Sequence, residues 1–482
     1  MRRLGALGAA VALVSLVIAG CGKNAGTVVG GTNNARVTLT IHDAPPLGIT
    51  VLSLQFQVKS AILQPGNVSI TLPETVELQQ LQADTIVLGS TQIPAKTYTS
   101  LAVDIENPSM TYINNTGGPI TPFQGPTCAV NAVCQFSPVV AQGNTVTFSA
   151  APVFPLNLTA NSEVGLELDA SIANMVQSDF SLNFFNTNAL TLTELPSVIG
   201  AAELRKLHHV LGTSSGIGVN SFTLTTPTGM QLSIVADGNT KFDFGAVCPA
   251  DAFGCVKAGQ VLDLDLSLEG NGTLLAKEVD LEADVNMAEI SGLIVLLDTN
   301  SPPANFQMLV RQASPSASTP LGSVNTVTIG AGTAFTVHNH SFVLPAGLTF
   351  TSAANLMVGQ EVLADVVISG PPNPPITSTA IALRRSQVTA LVSTPPTPGG
   401  TTFVLSPLPS LFQTALPTNI LSLHVDTTAQ TNFENLSPNS IAGVTLGENV
   451  SVGGWLFNTG GGVPNTATIA VDAVRGQPIP GP

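Results

Sequence analysis

Between Leu52 and Lys59 apolar residues alternate with polar ones: Leu52, Leu54, Phe56 and Val58 against Ser53, Gln55, Gln57 and Lys59. A period of two places the two sets on opposite faces of a β-strand, with one face buried. Strand signals return at "YTSLAVDIEN" and "EVGLELDASI", so the region up to about Ser197 reads as strands. The sharpest alternation is "VLDLDLSLEGNGTLLAKEVDLEADV", Val261 to Val285. Leu262, Leu264, Leu266 and Leu268 form one face; Asp263, Asp265, Ser267 and Glu269 form the other. The turn Gly270-Asn271-Gly272 predicts a hairpin, and Glu278, Asp280, Glu282 and Asp284 fill the polar face of the returning strand. "GLIVLLD", Gly292 to Asp298, is short and apolar throughout, as in a buried strand.

From His209 onward one order of elements occurs three times. Each copy opens with an apolar strand: "HVLG", "EISGLIV" and "QVTALV". A Phe-x-Leu element follows, at Phe222-Thr223-Leu224, imperfectly at Phe306-Gln307-Met308-Leu309, and at Phe403-Val404-Leu405. Then come Thr240/Phe242, Thr333/Phe335 and Thr431/Phe433, and a glycine turn feeding a strand: "AGQVLDLDL", "VGQEVLADVV" and "LGENVSVGGW". An alanine-led strand ends each copy: "AKEVDLEA", "AIALRRS" and "ATIAVDAV". Five or six strands with a glycine turn predict a small, partly closed, OB-like β-barrel. The loops differ in length between copies, as in a scaffold that varies its contacts.

Of 482 residues only 9% are charged, with 44 Gly and 35 Pro breaking the chain. That composition predicts an all-β protein of several domains: a β-sandwich over 36–200, then barrels over 205–286, 287–385 and 386–477. "TIHDAPP", "IPAKTYTSLAVDIEN" and "NLTANSEVGLELDASI" resemble a bacterial domain of unknown function found at the N-termini of envelope lipoproteins. The triplicated pattern resembles a second bacterial β-domain of unknown function, which often follows the first. These resemblances imply a β-sandwich and an envelope location, and carry no activity.

The chain opens "MRRLGALGAAVALVSLVIAGC". Arg2 and Arg3 precede an apolar stretch from Leu4 to Val17, too short to span a bilayer stably, which is the layout of a secretory signal over 1–20. Ile18-Ala19-Gly20-Cys21 resembles the bacterial lipobox, which implies lipidation of Cys21 and cleavage just before it. Residues 21–35, rich in Gly, Asn and Thr, then read as a flexible tether. Gly22 stands where aspartate would retain a lipoprotein at the inner membrane, so by this analogy the outer membrane is favoured. Loss of Arg2 and Arg3 takes the basic count from 15 to 13 against 30 acids, a formal charge of −17. Phosphate backbones repel such a surface, which excludes nucleic acid as a partner.

Four cysteines remain in two local pairs, Cys128 with Cys134 and Cys248 with Cys255, spaced as disulfide staples on loops. Neither spacing is that of a zinc site. On the acidic hairpin Asp263, Asp265, Glu278, Asp280 and Glu282 are candidate ligands for calcium, or a site for a basic protein. No other cofactor is indicated. "TVHNHSF" sets His338 and His340 on one strand face, without a third ligand nearby, and His208-His209 reads as a linker. "GTSSG", Gly212 to Gly216, has the G-x-S-x-G spacing, but a strand follows where a nucleophile elbow needs a helix, so it reads as a hairpin turn. Trp455 is the one conspicuous aromatic candidate for stacking a sugar. The resulting expectation is a lipid-anchored, non-enzymatic envelope protein, held at the membrane by its anchor, that binds an envelope protein or polysaccharide through β modules. A glycan-binding lipoprotein is the alternative, and an envelope hydrolase a third reading.

Overall fold

The computed structural model describes residues 34–477, apart from 45–49, 71–73, 81–84, 115–116, 131, 196–204, 227–228, 245–246, 269–272, 282–287, 314–318, 320–321, 340–341, 369–375, 415–419 and 460–465. Cys21, His340 and Glu282 lie outside the described residues.

The N-terminal module comprises β1 (Asn34–Ala44), β2 (Thr50–Gln64), β3 (Val68–Ser69), β4 (Glu74–Glu77), β5 (Ile86–Pro94) and β6 (Thr97–Tyr98). It continues with β7 (Ser100–Ile113), β8 (Val133–Phe136), β9 (Thr145–Phe148), β10 (Leu156–Asn157), β11 (Glu163–Ser171) and β12 (Leu190–Glu194). One sheet has the order β12-β11-β1-β5, with β1 parallel to β11; the other runs β3-β2-β7-β8, with β4 added to β2 and β9 to β7. Leu39, Leu54, Phe56, Leu101, Tyr112 and Leu166 fill the space between them. The expected β-sandwich is therefore present.

One residue breaks the simple alternation. A register shift between Val51 and Ser53 interrupts the pairing of β2 with β7, and Leu52 packs outside the sandwich, in the core of the second barrel. A bulge inserts an extra residue and re-aims the side chains beside it, which a strict period of two does not foresee.

The first barrel comprises β13 (Arg205–Ser215), β14 (Ser221–Thr225), β15 (Gln231–Val235), β16 (Lys241–Asp243), β17 (Val261–Leu268) and β18 (Leu274–Leu281). The second has β19 (Ala288–Leu297), β20 (Asn305–Ala313), β21 (Val324–Val337), β22 (Glu361–Ile368) and β23 (Ile376–Leu383). The third has β24 (Arg385–Thr394), β25 (Thr402–Leu405), β26 (Ser422–Glu434), β27 (Asn449–Phe457) and β28 (Thr466–Gly476). The second and third are closed rings of order 1-2-3-5-4, with strands 3 and 5 parallel and all other pairs antiparallel. In the first, β15 and β16 share the third place, and Ile234 and Val235 opposite Leu274 and Leu275 complete the circle of pairings. These are OB-like barrels.

The recurring residues each have a structural reason. Phe222, Phe306 and Phe403 are all buried in their barrel cores. The hydroxyls of Thr240, Thr333 and Thr431 donate to the carbonyls of Ala276, Ser378 and Val471, at 2.7, 2.9 and 2.6 Å, and so pin the third strand to the fifth. Before the fourth strand each barrel makes a 3-10 turn, at Phe253–Cys255, Ala353–Asn355 and Ile441–Gly443. The side chains of Gln260, Gln360 and Glu448 then accept the backbone N–H of Lys257, Met357 and Thr445.

His208 and His209 lie inside β13, at a register shift between Leu207 and Val210, rather than in a linker. Among the described residues no helix is long and apolar enough to cross a membrane.

Candidate functional site

Both disulfides form as the spacing predicts. Cys128–Cys134 closes a loop of the sandwich, and Cys248–Cys255 ties the 3-10 turn of the first barrel to the loop before it. The remaining sites fall together at the seams between modules.

The acidic hairpin forms, with Asp263 opposite Asp280 and Asp265 opposite Glu278. Its leucine face fills the first barrel. Among its described acids Asp263 and Glu278 are covered and Asp265 and Asp280 half-buried, whereas the expectation was a surface open to calcium or a basic partner. Asp263 is buried and accepts a hydrogen bond from Arg384 Nη2 at 2.9 Å. Glu278 is buried as well, and Asp280 Oδ2 lies 3.8 Å from His338 Nε2. Like charges facing one another across strands are relieved here by side chains of the same chain. Among the described residues no group of three His, Cys, Asp or Glu side chains is placed to hold a metal ion.

Trp455 is 3% exposed. Its ring stacks on Phe342 of the second barrel, centroids 4.9 Å apart, and its Nε1–H donates to the His338 carbonyl at 2.8 Å. Tyr98 and Tyr112 are buried too, so every Trp and Tyr in the chain is in the interior. Stacking a sugar needs an exposed ring face, and Trp455 offers none.

Ser214 of "GTSSG" is a buried residue of β13 whose hydroxyl donates to the carbonyls of Lys257 and Gln260. It closes the glycine turn of its own barrel. Gly216, with φ +54°, makes the bend after the strand.

Composition and motif reading missed the arginines. Arg311 is 8% exposed and ion-paired to Glu361, and its Nη2 donates to the Leu52 carbonyl of the sandwich at 2.9 Å. Burial pushes the Glu361 carboxyl up; Arg311 pulls it back. Arg385 Nε donates to Asp472 Oδ1 at 2.8 Å, its guanidinium lying over Gly453, where a Cβ would overlap it. In the third barrel Arg475 holds Glu434 through both Nε and Nη2, at 3.1 and 3.0 Å. The sequence carried one signal for this set: "LRRS", two adjacent arginines in a chain with 15 basic residues.

The second barrel is the hub of these contacts. It meets the sandwich through Arg311, through Leu52 and Ile113 in its core, and through Thr111 Oγ1 donating to the Gly322 carbonyl at 3.0 Å. It meets the first barrel at Asp263 and Asp280. It meets the third through Trp455, and through Gln360 Nε2 donating to the Leu456 carbonyl at 2.9 Å. Val87 and Leu195 of the sandwich also pack into the core cluster of the first barrel. What this arrangement does chemically is neutralise buried charge and fix neighbours in place. Compared with known proteins, the chain matches no family model and no curated protein, and its function is read from this geometry.

Proposed function

We propose that the protein is a lipid-anchored, non-enzymatic component of the bacterial cell envelope that presents its β modules as a binding scaffold. One observation carries the reading. The pairs Arg311–Glu361, Arg384–Asp263, Arg385–Asp472 and Arg475–Glu434 are all structural, and two of the four arginines, Arg311 and Arg384, also bond across seams between modules. A catalytic acid or base must reach a reacting group with a proton to give or take. Carboxylates fixed against guanidinium groups are suited instead to holding modules in register.

Contact surface is supplied by turns. Val219, 95% exposed, and Ile217 project from the β13–β14 turn, and Leu446 from the glycine turn of the third barrel. Phe123 and Phe185 are exposed on the sandwich. Apolar groups on loops of a rigid frame are where a partner docks. The anchor rests on Cys21 and its lipobox-like surroundings, and Gly22 favours the outer membrane.

Metabolic labelling with palmitate and membrane fractionation, comparing the natural chain with Cys21→Ser, test the anchor. Label and membrane association should both be lost in the variant; a variant that stays with the membrane overturns it. Protease shaving of intact cells then locates the barrels. Release of barrel peptides without lysis means an outward-facing scaffold, and release only after the outer envelope is broken means a periplasmic one.

A further inference from the structure

Arg384 and Arg385 are consecutive and sit where the second barrel passes into the third: β23 ends at Leu383 and β24 begins at Arg385. Successive side chains of an extended segment point to opposite sides. Here they reach different modules. Arg384, whose N–H still pairs with the Glu361 carbonyl of the second barrel, takes Asp263 of the first, whereas Arg385 turns into its own third barrel and takes Asp472. The side chains of both pairs are less than a tenth exposed.

We infer that Arg384 is an orientation lock, which fixes the first barrel to the second in a single arrangement so that the two move and melt as one body. Cohesion at the seam between the second and third barrels comes from apolar contact. Trp455, Phe457 and Leu411 belong to the core cluster of the second barrel, and Met357 of the second belongs to that of the third. Apolar surfaces alone tolerate sliding. A buried guanidinium does not, because any rotation that parts it from its carboxylate leaves an uncompensated charge in a dry seam. The Arg384–Asp263 pair therefore selects one orientation of the first barrel on the second, whereas the seam with the third is held by apolar contact. Arg384 also keeps the acidic face of the β17–β18 hairpin covered. The inference does not depend on where the protein resides in the cell.

Calorimetry and small-angle X-ray scattering on the full chain in detergent test it. The natural protein should melt the first and second barrels in one transition. Arg384→Met removes the guanidinium bonded to the buried Asp263 carboxylate, so a separate transition should appear about 10 °C lower, with a larger radius of gyration. Lys59→Met, which removes only the exposed Lys59–Glu106 pair, is the control and should match the natural protein. Arg384→Met combined with Asp263→Leu removes both charges and should recover most of the lost melting temperature, which a general loss of packing would not do. Separate transitions of the first and second barrels in the natural protein overturn the lock, as does an Arg384→Met variant indistinguishable from the control. If Arg384→Met alone does not fold, a double variant that also fails to fold counts against it.

Discussion

Gly259, Gly359 and Gly447 hold the same place in the three barrels, with φ of +88°, +91° and +78°. All three are in the left-handed region that disfavours a Cβ, but their surroundings differ. Around Gly259 and Gly447 there is open space, whereas a methyl at Gly359 would run into the Phe412 ring of the third barrel. Gly259→Ala should cost about 1 kcal/mol from backbone strain alone. Gly359→Ala adds the clash and should cost about 3 kcal/mol, read as the difference in chemical denaturation. Asp365 makes a prediction about pH. Burial raises its carboxyl above the ordinary value, so the folded chain holds that proton more tightly than the unfolded chain. The folded state is penalised at neutral pH, and the penalty fades as pH falls through the raised value towards about 4. Asp365→Asn should therefore melt above the natural protein at pH 7, with the gap closing near pH 4.

At the scale of the element, the turn before the fourth strand is one device used twice for local closure and once for docking. In the first and third barrels Gln260 and Glu448 accept a backbone N–H of their own turn. In the second, Gln360 does the same and also donates to the Leu456 carbonyl of β27, where Met357 and Val358 are buried. Gln260→Ala should cost about 1 kcal/mol, the net worth of one hydrogen bond. Gln360→Ala leaves two buried groups without their partner and should cost about 3 kcal/mol. Reduction of Cys248–Cys255 frees the loop before the 3-10 turn and should lower the stability of the first barrel by about 2 kcal/mol, measured with and without reductant. These elements were largely legible. Alternation located β2, β7, β11 and the β17–β18 hairpin, and the repeated Phe, Thr and Gly marked equivalent strands. What covers the second face was not. Amphipathic spacing says that Asp263 and Leu264 point to opposite sides, and nothing in it says that an arginine more than a hundred residues later will meet the aspartate. The same gap hid the fate of Leu52 and of Trp455, both packed into a neighbouring module.

The whole molecule departs from a string of separate beads. The sequence shows the sandwich and the three barrels in order, because each repeats or closes a local pattern. Their mutual packing is long-range and rests on a few side chains, chiefly Arg311, Arg384, Gln360 and Trp455, which carry no periodic signature. The hub arrangement also explains why so acidic a chain has few acids facing one another in water at the hairpin: its scarce arginines are placed inside, against the carboxylates that most need them.

The position of β1 has a mechanical consequence. It begins at Asn34, so the last two residues of the expected tether, 21–35, already belong to the strand, and it lies between β11 and β5 in the middle of its sheet. A pull on the anchored end acts along β1, against hydrogen bonds that run across it on both sides. Nine register pairs with β11, from Arg36 opposite Glu163 to Ala44 opposite Ser171, are loaded together rather than peeled one at a time. With the proposed anchor, drag would thus be met in shear, the direction in which a sheet gives way last, and the sandwich would be the grip by which the barrels are held.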